Sequence, residues 1–285
     1  VAACVYPDNL VFNDPAASVS SLDVSGWYEI AMGWGYDCPY IQSIYSYQGE
    51  LLAGGSLTAS SGMIDGRLAT WNGSAWRSLD PIGVGIVRAM TEFQGNLISG
   101  GSATYSVGGI SYDCIAQLSG DTWSPLETGI QGDSVSGFAQ VYGMLVHDGS
   151  LYVGGSFAKA GGLTANDVAR WDGNAWHSLG TGTDGVVTSM AVYQSELVIA
   201  GGFSNVGGVP SRCIAAWDGA NWHSLGAGLD YVVYALAVHN GKLVVGGYFT
   251  MAGGMPIQHL ATWDGTSWGS LGTGEGPNKP VDCMI

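Results

Sequence analysis

The sequence predicts an all-β fold built from small four-stranded sheets repeated along one domain spanning residues 1–285. Three observations lead there. A two-tryptophan motif recurs at a nearly fixed interval, a Gly-Gly pair recurs in the same phase, and Asn-Gly or Asp-Gly dipeptides stand where tight hairpins are needed. The composition agrees. Of 285 residues 47 are Gly and 11 are Trp, while charged residues make up 11%, against about 25% in an average soluble domain. Few charges with many glycines and rings describe short strands, sharp turns and a broad apolar interior.

The motif reads "ARWDGNAWHSLG" from Ala169, "AAWDGANWHSLG" from Ala215 and "ATWDGTSWGSLG" from Ala261. Its second tryptophan falls at Trp76, Trp123, Trp176, Trp222 and Trp268, with a degenerate copy ending at Trp27. The glycine pairs fall at Gly54-Gly55, Gly100-Gly101, Gly154-Gly155, Gly201-Gly202 and Gly246-Gly247. Two markers in one phase five times make this a repeat protein.

Each repeat divides into four strand-like runs, as in "VVTSMAV", "ELVIAGGF", "CIAAWDG" and "NWHSLG". Asp148-Gly149 and Asn240-Gly241 join first to second runs. Asn72-Gly73, Asp172-Gly173, Asp218-Gly219 and Asp264-Gly265 join third to fourth. All are expected as type I′ turns, whose central residues need positive φ. A four-stranded sheet with two apolar faces buries both only against neighbours, and fanning such sheets around an axis is the β-propeller solution. The tryptophans would then wedge the gaps between blades, and the glycines would admit close backbone approach.

Repeats of about 47 residues predict six blades, with five beginning near Tyr40, Gly85, Gly137, Gly185 and Tyr231. Residues 1–39 are expected as a degenerate N-terminal blade. Residues 280–285, "PVDCMI", are left over. They either pair with the N-terminal blade and close the ring, or begin a seventh blade if the chain is a fragment, or are donated to a neighbouring molecule. In the first case Cys4 and Cys283 would meet in a disulfide. The other cysteines, Cys38, Cys114 and Cys213, form no CxxC pair, which disfavours a zinc site, and Cys114 and Cys213 read as small buried residues in equivalent third strands.

Gly-Gly after an apolar strand, then an aromatic-Asp pair, then Trp and Leu ("ELVIAGGF" followed by "AAWDGANWHSL") resembles the kelch repeat. It also resembles kelch-related repeats of large secreted or surface-attached bacterial and fungal proteins. The resemblance is strongest over residues 166–274 and weak before Tyr40. It implies a propeller serving as a binding module more often than as an enzyme. The Cys-Tyr and His-Tyr site of the copper-radical oxidases in that superfamily cannot be assigned here. "WDGNAW" is similar to the sialidase Asp-box but lacks its spacer, and five arginines are few for a sialidase triad.

The net charge of −15 opposes binding to nucleic acid or an anionic membrane. No apolar run approaches the ~20 residues of a membrane helix, and "VAACVYPDNL" lacks the basic start of a signal peptide. Scarce lysine and many glycines suit an extracellular or cell-surface part.

The longer connections, second-to-third and fourth-to-first strand, are expected on one face, which is the default binding surface. Trp34, Tyr36, Tyr40, Tyr105, Tyr112 and Tyr231 fall on or beside them, and such rings either stack on sugars and partners or fill gaps. Acids recur on the fourth-to-first connections: Asp37, Asp80, Asp133, Asp184, Asp230 and Glu275. They either ring a cation, calcium being the ion such hard oxygens suit, or merely keep lysine-poor loops soluble. No motif calls for any other cofactor. His177 and His223 hold equivalent outer-strand places and read as structural; no Ser-His-Asp or Cys-His grouping assembles. Asn72-Gly73-Ser74 has the form of a glycosylation sequon, but the turn accounts for the asparagine.

Three functions follow. The first is a non-catalytic binder of a glycan or protein through the long-connection face. The second is a subunit of an extracellular filament or array joined by the terminal strand. The third is a lyase or glycosidase using an acid at the channel mouth.

Overall fold

The computed structural model describes residues 40–58, 65–79, 85–107, 110–133, 137–272 and 277–282. They form two compact units, one ending at Gly129 and one beginning at Ile130. Among the described residues every regular element is a strand.

The first unit holds two antiparallel meanders. The first sheet comprises Tyr40–Tyr47, Glu50–Thr58, Asp65–Trp71 and Trp76–Ser78. The second comprises Val87–Phe93, Asn96–Val107, Ile110–Ser119 and Thr122–Pro125. The second unit repeats the pattern three times. The third sheet is Gln140–His147, Ser150–Ser156, Val168–Trp171 and Trp176–Ser178. The fourth is Val187–Tyr193, Glu196–Gly201, Ile214–Trp217 and Trp222–Ser224. The fifth is Val233–His239, Lys242–Gly247, Leu260–Trp263 and Trp268–Ser270. Within each unit the first strand of one sheet packs beside the first strand of the next. This is a propeller-like arrangement of small sheets. The sixth blade expected from residues 1–39 lies outside the described residues, as do residues 283–285; residues 277–282 carry no strand.

The tryptophans join neighbouring sheets by a directed bond as well as by bulk. The indole N–H of Trp123 donates to the Leu79 carbonyl at 3.1 Å, Trp222 to Leu179 at 2.9 Å and Trp268 to Leu225 at 2.9 Å. Each bond runs from one sheet to the sheet before it, and each indole is buried. A buried indole N–H without an acceptor would be costly, so the bond fixes which way the ring lies.

The glycine pairs mark where a side chain would collide. A Cβ on Gly101, Gly155, Gly201 or Gly247 would strike the carbonyl oxygen of Ile86, Gln140, Val186 or Val232. One on Gly54 would lie 2.5 Å from a methyl of Val87 in the next sheet. The register makes Gly201 the equivalent of Gly155 and Gly247, opposite Val187, Val141 and Val233. The fourth sheet's pair is therefore Ala200-Gly201 rather than the expected Gly201-Gly202, and only the second position is strictly glycine. Opposite these glycines every first strand carries a β-bulge. The inserted residues are Gln42, Arg88, Tyr142, Thr188 and Tyr234.

The two classes of hairpin differ. First-to-second turns have positive φ at both central residues: 45° and 69° at Asp148 and Gly149, 49° and 73° at Asn240 and Gly241. These match the expected type I′ geometry. The Trp-Asp-Gly hairpins do not. Trp171 pairs with Trp176 and Trp217 with Trp222 across four residues, and only the glycine has positive φ. Here the aspartate works through its side chain: Asp172 Oδ1 accepts from the N–H groups of Asn174 and Ala175 at 2.8 and 2.9 Å. Asp218 and Asp264 repeat the arrangement, and Asn72 does so with its amide oxygen. The loop selects an acceptor followed by a glycine, which explains Asn as a substitute for Asp.

The second-to-third connections are more ordered than loops. In the second unit they hold short two-stranded hairpins at residues 159–164, 205–210 and 251–256. In the second sheet the strands themselves run on, placing Tyr105 opposite Tyr112. "SATYSV" and "ISYD" were expected in a connection, but β-favouring residues extend the pairing into a ribbon.

Candidate functional site

The recurring acids of the second unit serve the backbone. Asp184 Oδ1 accepts from the N–H groups of Ser204 and Asn205 at 2.7 and 2.8 Å, and Oδ2 accepts from the Asn205 amide at 2.9 Å. Asp230 does the same for Thr250 and Met251, with the Thr250 hydroxyl at 2.7 Å on Oδ2. Each carboxylate thus ties the entry to a first strand to the connection leaving the second strand of the same sheet. Burial raises both pKa values, but these hydrogen bonds outweigh it and hold both below the ordinary aspartate value. Neither is suited to donate a proton near neutral pH. Asp133 is exposed, and its carbonyl accepts from Gly137 at 3.0 Å. Asp37 lies outside the described residues. Among the described residues no three His, Cys, Asp or Glu side chains gather as a metal site.

The described cysteines offer no nucleophile. Burial pushes the Cys213 thiol up to about 11, and Cys114 is buried. Cys4 and Cys283 lie outside the described residues. His177 pairs with Asp172 at 2.6 Å and His223 with Glu196 at 2.9 Å, on the outer strands.

One acid departs from the pattern. Asp167 has φ 69°, at the place where Cys114, Cys213 and His259 have 60°, 63° and 63°. Its Oδ1 accepts the Phe157 N–H at 2.8 Å. Burial dominates, with Asp184 adding repulsion, and its pKa rises to about 6.

Of the expected ligand-binding aromatics, Tyr231 is 60% exposed. Trp34 and Tyr36 lie outside the described residues, and Tyr105 and Tyr112 are placed on paired strands of the first unit. Tyr231 gains two companions that the sequence reading missed. Tyr234 and Tyr248 are 41% and 45% exposed, with ring centroids 5.4 Å apart in an edge-on pair. Burial, then the phenols and carboxylate of Tyr248, Asp282, Tyr231 and Tyr142, raise the pKa of Tyr234, so these groups share one neighbourhood.

The fourth sheet shows what is unusual here. Counting back one repeat of 46 residues, Tyr231, Tyr234 and Tyr248 correspond to Gly185, Thr188 and Gly202. Tyr234 is the bulge residue of its strand, and the Tyr248 N–H bonds to Val232 as the Gly202 N–H bonds to Val186, both at 2.9 Å. The backbone is repeated and the side chains are not. That signal lay in the sequence, in the places where adjacent repeats disagree.

No family model matches the chain, and no curated protein matches it. Two solved structures to which it is similar are the computationally designed Ika8 protein and YjhT. Ika8 is 15% identical over 80% of this chain and 59% of that one, with a TM-score of 0.47. YjhT is 13% identical over 80% of this chain and 82% of that one, with a TM-score of 0.45. The chain thus spans 59% of the length of the designed protein.

Proposed function

We propose that the chain is a non-catalytic, six-bladed propeller, secreted or displayed at the cell surface, that binds a glycan at the tyrosine cluster of its fifth sheet. The observation that carries this is the replacement of Gly185, Thr188 and Gly202 by Tyr231, Tyr234 and Tyr248 one repeat later, on an unchanged backbone. A phenol offers a ring face to the C–H side of a sugar and a hydroxyl to its polar edge. Two rings set edge-on at 5.4 Å, with the Asp282 carboxylate in the same neighbourhood, supply both kinds of contact. A net charge of −15 favours neutral sugars over acidic ones. The lowered pKa values of Asp184 and Asp230 and the raised Cys213 thiol support binding without turnover.

The test is a glycan array followed by calorimetry on the best ligand, with reducing-end release measured in parallel. The expected result is saturable binding, lost in Tyr234→Ala/Tyr248→Ala, with no release of product. Binding unchanged in that folded variant would move the site elsewhere, and product release would make the protein an enzyme.

A further inference from the structure

The second sheet breaks the tryptophan rule, and a cleft opens where it does. In four sheets the third and fourth strands end in a tilted indole pair, with centroids 5.5, 5.3, 5.1 and 5.3 Å apart at Trp71–Trp76, Trp171–Trp176, Trp217–Trp222 and Trp263–Trp268. In the second sheet the partner paired with Trp123 is Leu118. The missing ring has a known place. In the fifth sheet it is filled by Trp263, whose six-membered ring lies against Gly226, just beyond the outer strand of the sheet before. The same place beside the first sheet's outer strand holds a cleft of 390 Å³ instead.

Leu52, Leu79, Leu118 and Trp123 give the cleft an apolar floor. Its rim is polar. Glu50 Oε2 accepts from the Thr70 hydroxyl and from Arg77 Nη2, both at 2.8 Å. These bonds, Thr70 first and then Arg77, hold Glu50 below the ordinary glutamate value, so it is a carboxylate. Asp121, on the two-residue turn after Ile110–Ser119, adds a second carboxylate. Acceptors, guanidinium donors and an apolar floor thus face one small volume, and the charges of Glu50 and Arg77 offset each other.

We propose that this cleft binds a single neutral pyranose ring, such as a terminal sugar or branch of a glycan. The proposal rests on the glycan reading above but on different residues, in the first unit. The volume lies near the lower end of the ~300–1,000 Å³ typical of ligand pockets, room for one ring rather than a chain. Sugar hydroxyls both donate and accept, which suits Glu50 and Asp121 together with Arg77, while the axial C–H face rests on Leu118 and Trp123. Anions would meet the Asp121 carboxylate and the negative field of the whole chain.

The probes are methyl glucoside, methyl galactoside and methyl mannoside, with methyl glucuronide as the charged control, titrated into the full chain by saturation-transfer NMR and calorimetry. At least one neutral glycoside should bind. Leu118→Trp, which restores the indole of the other repeats, should weaken it at least about tenfold, and Asp121→Asn about threefold. The titrations are repeated in the Tyr234→Ala/Tyr248→Ala background, where the glycoside binding sensitive to Leu118→Trp should remain. No glycoside binding, preference for the glucuronide, or binding that survives Leu118→Trp overturns the cleft proposal. Glycoside binding lost only in the tyrosine variant overturns it too, while leaving the glycan reading intact. If the array also shows no glycan, the glycan reading itself has failed.

Discussion

The fourth and fifth sheets share register, bulge, glycine, indole bond and acid-capped hairpin, yet one ends in Gly185, Thr188 and Gly202 and the other in three tyrosines. What is shared between them is architecture. What differs has been released from it. The second sheet teaches the same lesson in reverse, because there an architectural residue is missing and space appears.

The comparison is broken most strongly at what the sheets have in common. Trp222→Ala and Trp268→Ala should each cost about 3–5 kcal/mol in urea unfolding, and by similar amounts, since each ring is buried and bonds the preceding sheet at 2.9 Å. Gly201→Ala and Gly247→Ala should follow at about 1–3 kcal/mol, because the new methyl meets a backbone carbonyl in both. Leu118→Trp should instead stabilise by about 0.5–2 kcal/mol, as cavity-filling changes do, which would show that the exception is kept at a cost in stability.

At the tyrosines the comparison is sharpened. Tyr231→Ala, Tyr234→Thr and Tyr248→Ala together make the fifth sheet resemble the fourth. Each should change stability by less than about 1 kcal/mol while glycan binding disappears from the array. The smallest effect is a pH slope. Asp167 has a folded pKa of about 6 against 3.8 for an unperturbed aspartate, so the folded state holds its proton more tightly. Stability should therefore fall as pH rises from 3.8 to about 6. Asp172, Asp218 and Asp264 are shifted the other way, held down by their loop N–H groups, and stabilise above 3.8 with loss on further acidification. A stability maximum in mild acid is expected in thermal melts, and Asp167→Asn should flatten its alkaline side.

The regular part of the fold was legible because it is periodic. The glycines and second tryptophans mark one phase, and both owe their positions to contacts every sheet repeats. The type I′ turns at Asp148 and Asn240 were legible from local φ requirements alone. Asp172 was misread for the same reason: a dipeptide rule sees the backbone, whereas this loop is held by the carboxylate reaching two residues onward. The acids of the fourth-to-first connections were visible as a series, but their hydrogen-bond partners lie 20 residues downstream, beyond any local pattern. Tyr234 and Tyr248 were missed because an isolated tyrosine in a strand reads as packing. Only alignment of one repeat on the next exposes them.

The bulge in each first strand carries a consequence for how such a chain changes over time. Gln42, Arg88, Tyr142, Thr188 and Tyr234 occupy equivalent inserted positions, five residues of four different side-chain types on one repeated register. The residue there has changed between repeats while the register has not, so a combinatorial library confined to those codons would be the natural place to graft a new specificity.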